Sequence, residues 1–194
     1  MTGPGHLVGV LALQGDFEAH AGVLTRLGAE ARIVRTPSDL DGLDGLVLPG
    51  GESTTMTLGM EREGLAEPLR ELIARETPVL ATCAGMIVLD RDHLGVLDLT
   101  ARRNAFGRQV MSFETDLELD GLDGGPLRAV FIRAPWVEEH GPGVEVLASV
   151  DGHPVAVRQG EVTAVAFHPE LTGDARLHRR LVEAAAARGV KEPV

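Results

Sequence analysis

The only cysteine in the 194 residues is Cys83, which closes the apolar run PVLATC ahead of the small residues Ala84 and Gly85. A thiol at a strand end, with the backbone N–H groups of a following helix aimed at it, is placed to ionise and to have an oxyanion held beside it. A lone cysteine in an apolar setting is also an ordinary small buried side chain, so spacing alone leaves both roles open. A nucleophile needs a base, and the base needs an orienting group. Seven histidines are available, and His168 differs from the rest by ending VTAVAF and opening HPE. Pro169 stiffens that turn, so Glu170 can face the same side and hold the imidazole in one tautomer. His20 and His178 fall inside helical patterns and most of the others in polar turns. A third candidate piece is PGGEST, residues 49–54, where Gly50 and Gly51 let a substrate or an oxyanion approach the backbone amides. An ordinary turn or a phosphate loop would also use such glycines. The chain has no G-x-x-x-x-G-K-[ST] pattern and no lysine before Lys191, which speaks against the phosphate loop.

These pieces need elements to carry them, and strand and helix signals alternate through the first half. LVGVLALQG (7–15), EARIVRT (30–36), GLVLPGG (45–51) and PVLATC read as buried parallel strands. DFEAHAGVLTRLG places Phe17, Leu24 and Leu27 at helical spacing and ends on Gly28, while Leu65, Leu69, Leu72 and Ile73 describe a second amphipathic helix. AGMIVLDRD reads as the helix after Cys83. Beyond about residue 105 the texture changes to short strands divided by Gly, Pro and Asp turns: RQVMSFETDLELD, RAVFIRAP, VEVLASV, HPVAVRQG and VTAVAF. A helix over about 174–188 closes the chain. The pattern predicts one α/β domain over residues 1–194, with a parallel first half and antiparallel strands added in the second. Ligands of such sheets bind beyond the carboxyl ends of the strands, where LQGDF, LPGGEST and TCAGM all fall.

Composition narrows the chemistry. The net charge is -11, and all 18 basic residues but Lys191 are arginine. An acidic chain lacks the basic stripe that displaces counterions from nucleic acid, and anionic lipid would repel it. Neither nucleic acid nor membrane is an expected partner. One cysteine cannot form an internal disulfide, and the opening apolar run is too short to span a bilayer, so the cytoplasm is the expected location.

TCAGM, LPGGEST and AFHPE, in that order along the chain, resemble the class I (triad) glutamine amidotransferases. GVLALQGDFEAH, LPGGESTTM, NAFGRQVMSFE, FIRAP and VAVRQG are further similar to one family in that class, the glutaminase subunits of pyridoxal 5′-phosphate synthase. The resemblance covers about residues 8–180. It implies a flavodoxin-like, mostly parallel sheet flanked by helices, and hydrolysis of L-glutamine without a cofactor. Cys83 would be the nucleophile, His168 the base and Glu170 its holder, with Gly51 and Ala84 N–H groups as the oxyanion hole. Gly51, Glu52, Ser53, Arg108, Ile132 and Arg133 match the family's glutamine-binding positions. An arginine fork suits an α-carboxylate, although Arg108 and Arg133 could equally be surface ion pairs on an acidic protein.

The resemblance also implies a partner, a synthase subunit of the PdxS type in a large hetero-oligomeric complex. That subunit would receive the ammonia, and its docking would activate the glutaminase. Gln14 matches the family's residue near that contact, and by itself is a polar residue ending the first strand. Two alternatives stand beside this reading: the glutaminase subunit of another amidotransferase, such as that of histidine biosynthesis, and a catalytically silent regulatory subunit of the same fold. The LPGGESTTM and FGRQVMSFE motifs speak against the first, and the intact Cys83, His168 and Glu170 set against the second. DLELDGLDGGPLRAV is the least family-like stretch and reads as a surface loop.

Overall fold

Residues 6–107 and 112–189 are described by a computed structural model. The first half runs β1 (Leu7–Leu11), α1 (Phe17–Arg26), β2 (Glu30–Val34), β3 (Gly45–Leu48), α2 (Ser53–Glu63), α3 (Ala66–Ala74), β4 (Val79–Thr82) and α4 (Ala84–Leu89). The second runs β5 (Leu99–Arg102), β6 (Ser112–Leu117), β7 (Leu127–Ile132), β8 (Trp136–His140), β9 (Glu145–Val150), β10 (His153–Gln159) and β11 (Val162–Val165), then α5 (Arg176–Gly189). β3 and β4 are buried at every residue, as strands covered on both faces must be.

Seven strands form the main sheet in the order β2-β1-β3-β4-β11-β10-β9. The first five are parallel, while β10 lies antiparallel to both β11 and β9. This is the flavodoxin-like order, with antiparallel strands extending one side. β11 departs from the simpler picture of an added antiparallel half. It returns to the parallel set beside β4, pairing Val162 to Val165 with Val79 to Thr82 in register. Two hairpin-like ribbons, β5–β8 and β6–β7, stand outside the main sheet.

Three elements escape the sequence patterns. α2 reads STTMTLGMERE, with little apolar periodicity, and buries only Ser53, Met56, Gly59 and Met60. It is started by the Glu52 carboxylate, which accepts from Thr54 N and Thr55 N, and is stopped by Gly64 at φ 69°. Among the described residues, β5 and β8 are polar strands paired only with each other. The expected surface loop DLELDGLDGGPLRAV is a loop over residues 118–126 and strand at both ends. Its ends belong to β6 and β7, and Leu117, Leu119, Leu127 and Ala129 are buried. Phe131 of β7 packs on Phe106, Phe113 and Phe167 at centroid separations of 5.5, 4.5 and 5.6 Å, tying the ribbon to the end of β11. No described helix is long and apolar enough to cross a membrane.

Candidate active site

β4 and β11 end side by side, and the site is built on the two corners just beyond them. Cys83 directly follows β4 and turns the chain into α4 with φ 48° and ψ -109°. That conformation costs a non-glycine residue about 1–3 kcal/mol. It is held by Cys83 N donating to Val165 O of β11 at 2.8 Å and by Met86 N donating to Cys83 O at 3.1 Å. Such a strained strand-to-helix elbow pushes a nucleophile out above the sheet. Cys83 is nevertheless only 6% exposed, and its Sγ lies 4.0 Å from Ile132 O at the end of β7.

His168 lies three residues past β11 and is anchored by its backbone N, which donates to Val130 O at 2.9 Å. Its Nδ1 is 2.7 Å from Glu170 Oε1, across the 3-10 turn Pro169–Leu171. The other ring nitrogen is thereby left for Cys83, whose Cβ shares the Gly50 corner with the His168 ring. Burial works against a charged ring here, but the Cys83 side chain and the bond to Glu170 outweigh it and hold the His168 pKa up at about 10. Glu170 is likewise desolvated, which favours its neutral form. The hydrogen bond from His168 and the neighbouring His20 and His168 rings overcome that and keep its pKa below the usual carboxylate value.

Glycine makes the close approach possible. A side chain at Gly50 would place Cβ 2.5 Å from His168 Cε1 and 3.2 Å from Cys83 Cβ. A side chain at Gly15 would overlap Gly50 O. Gly50 O thus faces the corner after β1, and the trans peptide turns Gly51 N–H the opposite way. Gln14, from that same corner, accepts a hydrogen bond from Glu52 N through Oε1 and covers Gly51. The Glu52 carboxylate caps α2, with Thr54 N and Thr55 N holding its pKa low, so its side chain is committed to structure.

A cavity of about 260 Å³ opens beside Cys83, lined by Gln14, Gly51, Glu52, Ser53, Ala84, Ile132, Arg133 and His168 among others. The sequence-derived residues thus meet around one cavity, with Glu170 behind His168 and away from the opening. Arg108 lies outside the described residues. Arg103 and Asn104 line the same cavity and were not anticipated. Arg103 Nη1 donates to Thr54 Oγ1 at 3.0 Å, and its Nη2 lies 3.1 Å from His93 Nε2, whose Nδ1 is 2.7 Å from the buried Asp90 carboxylate. A larger cavity of about 500 Å³ lies at the amino ends of the strands, by Pro78, Gly160 and Glu161, and its lining holds no cysteine or histidine. Chemistry favours the smaller one.

Sequence reading also missed two histidines behind the site. His20 of α1 and His178 of α5 are wholly buried, with His20 Nδ1 2.8 Å from His178 Nε2 and His20 Nε2 3.3 Å from Glu170 Oε2. Their signal was available: His20 is spaced i+3 from Phe17 and i-4 from Leu24, on the apolar face of α1.

A cysteine on a strained elbow, beside a carboxylate-held histidine from the neighbouring parallel strand, sits at the carboxyl ends of a doubly wound α/β sheet, where proteins of this fold class present their ligands. A crystal structure of a glutamine amidotransferase superposes with a TM-score of 0.86 at 49% identity, covering 92% of this chain and 98% of that one. A putative GMP synthase protein from Thermoplasma acidophilum shares the fold at 20% identity, with a TM-score of 0.73 over 97% of this chain and 98% of that one. The chain belongs to the SNO glutamine amidotransferase family, whose model matches residues 10–187. Among its relatives, the pyridoxal 5′-phosphate synthase subunit PdxT of Mycolicibacterium vanbaalenii is 56% identical over 187 residues, covering 90% of this chain and 95% of that protein. The protein of the same name from Acidothermus cellulolyticus is 57% identical, covering 93% and 94%.

Proposed function

We propose that the protein hydrolyses the side-chain amide of L-glutamine at Cys83 and passes the ammonia to a pyridoxal 5′-phosphate synthase subunit, within a hetero-oligomeric complex. The observation that carries the chemistry is the His168–Glu170 bond of 2.7 Å set beside a strand-end thiol. The volume of the cavity supports an amino-acid substrate, since it falls below the roughly 300–1,000 Å³ of pockets for larger ligands. Identity above half with two PdxT proteins supports the pathway and the synthase partner.

The Cys83 thiolate attacks Cδ of glutamine, and the carbonyl oxygen takes up negative charge. Gly51 N–H and Ala84 N–H, at the two corners flanking the thiol, are the proposed donors to that oxygen. Removing one donor of this kind typically costs about 100- to 1,000-fold in rate. Imidazolium His168 gives its proton to the leaving nitrogen, so ammonia departs and a γ-glutamyl thioester remains. The neutral ring then takes a proton from water as the hydroxide attacks the thioester, and glutamate leaves with the thiolate–imidazolium pair restored. Glu170 fixes the ring and stabilises its charge throughout.

Arg133 and Arg108 are the proposed partners of the substrate carboxylate, and Ser53 and Ile132 the walls around its chain. Gln14 is the proposed point at which the synthase acts, because its side chain ties the first corner to the glycine corner through Glu52 N. The test is ammonia release from glutamine by the full chain, with and without a cognate synthase subunit. Wild type should turn over in the complex, and Cys83→Ala should lose turnover while still binding the partner. A complex that forms but releases no ammonia would refute the proposal.

A further inference from the structure

We propose that His20 is a positioning residue for the triad. It donates its Nε2–H to Glu170 Oε2, and His178 fixes the tautomer that makes this possible. The consequence for turnover rests on the glutaminase reading above, whereas the geometry does not.

The 2.8 Å contact between His20 Nδ1 and His178 Nε2 needs one N–H and one lone pair. Two arrangements satisfy it. If His20 carries its proton on Nδ1, then its Nε2 lone pair faces Glu170 Oε2 at 3.3 Å, lone pair against carboxylate. Glu170 Oε2 is then a buried charge without a donor, and His178 is left with a buried Nδ1–H that has no acceptor. If instead both rings are protonated on Nε2, His178 donates to His20, and His20 turns an N–H toward Glu170 Oε2 and the nearby Thr82 Oγ1 at 3.4 Å. Only a bare lone pair on His178 Nδ1 stays unpartnered. Stranding a buried donor and a buried carboxylate oxygen is the costlier outcome, so the second arrangement prevails. At 3.3 Å the two atoms are within reach but not in hydrogen-bond alignment, so the bond requires the His20 ring to turn toward Oε2.

Every donor in this row points toward the carboxylate: His178 to His20, His20 to Oε2, and His168 to Oε1. The row works only with His20 and His178 neutral, and the surroundings keep them neutral. Around His20, burial dominates, Glu170 and Asp16 oppose it, and His168 adds to it, leaving the pKa below its ordinary value. Around His178, burial dominates, with His20 and Arg26 adding and Glu170 opposing, and the pKa falls to about 3. The carboxylate is thus gripped at both oxygens, which keeps it ionised and aimed at His168.

Cys83 is the only cysteine, so its rate of alkylation by iodoacetamide against pH reads the thiol beside His168 in the full chain, without glutamine or the synthase. His20→Gln keeps an N–H at the Nε2 position, whereas His20→Asn keeps one only at the Nδ1 position. Without the donor, Glu170 protonates at a higher pH and ceases to support the imidazolium. The acid limb of the alkylation profile should therefore move up by about one pH unit in His20→Asn, about a tenfold slower reaction on that limb, and return toward wild type in His20→Gln. Equal displacement in both variants, or none in either, would overturn the proposal. If neither variant folds, nitrogen NMR of the wild-type imidazoles decides: both His20 and His178 should be Nε2–H tautomers, and an Nδ1–H His20 refutes the row. A wild-type protein that released no ammonia would defeat the glutaminase reading while leaving both readouts standing.

Discussion

Gly50→Ala adds one methyl group and removes no chemical function, which makes it a direct test of the site's geometry. Gly50 does not hold a positive φ, so alanine meets no backbone penalty there. Its Cβ would sit 2.5 Å from His168 Cε1, where ordinary contact begins at 3.4 Å, so the ring must retreat by about 0.9 Å. The 3.2 Å approach to Cys83 Cβ blocks an escape toward the thiol, and the 2.7 Å bond to Glu170 resists the opposite movement. A displacement near 1 Å at a reacting group costs about 100-fold in rate, or about 2.7 kcal/mol of barrier.

The assay is ammonia release at saturating glutamine in the presence of the synthase, with KM taken from the same curves. We expect kcat to fall about 100-fold, with a smaller change in KM, because the methyl displaces the base more than it fills the cavity. Overpacking relieved into an open cavity should cost near the low end of its range, about 1 kcal/mol, or about 2–4 °C in Tm for a chain of this size. Gly22→Ala is the control. Gly22 lies within α1, its Cβ would meet nothing nearer than Arg26 Nη1 at 3.6 Å, and alanine there should add about 0.5–1 kcal/mol of stability with activity unchanged. Gly50→Ala with activity within threefold of wild type would refute the proposed contact between His168 and the thiol.

The same arrangement has other measurable consequences. Glu170→Gln should lower kcat by about 100-fold or more while leaving the fold intact by circular dichroism, and unchanged kinetics would remove Glu170 from the mechanism. Acid should destabilise the protein below pH 6.5. His178 has a folded pKa near 3 against 6.5 when unfolded, so between those values the unfolded chain binds the extra proton and stability falls as pH falls. Glu170, held below its ordinary value, acts in the same direction. From pH 7 to pH 4.5 the His178 contribution is roughly 2–3 kcal/mol, or about 1 M in the urea midpoint, and coincident midpoints would exclude a buried neutral His178. Phe131→Ala should cost about 3–5 kcal/mol in urea unfolding, because it empties the centre of the cluster with Phe106, Phe113 and Phe167. A loss under 1 kcal/mol would mean that the cluster does not secure the β6–β7 ribbon.

Much of the fold and site was legible in one dimension because local physics produced it. The buried strands read as continuous apolar runs, and Cys83, Gly50 and Gly51 sit at strand ends where an α/β sheet presents its ligands. α2 was not legible because it is a capped helix with almost no apolar stripe, held by the Glu52 carboxylate. β5 and β8 were hidden for a related reason, since polar ribbon strands owe their pairing to each other and not to a pattern in either. Arg103 gave no sign because its approach to the cavity depends on Asp90 and His93, ten or more residues away, and on Thr54 from α2.

The sequence alone determined the chemical types: one thiol at a strand end, a histidine with a carboxylate two residues on, and glycines where backbone must come close. It could not determine which strands would be neighbours. That was decided by β11 returning to pair with β4 in register, so that Cys83 N bonds to Val165 O and His168 comes three residues later. The same return laid α5 against α1 and brought His178 to His20 behind Glu170, across 158 residues of chain. A histidine on an apolar helix face is only an oddity of periodicity until another element supplies its partner, because a buried polar group is satisfied by the groups that pack against it and not by its neighbours in sequence.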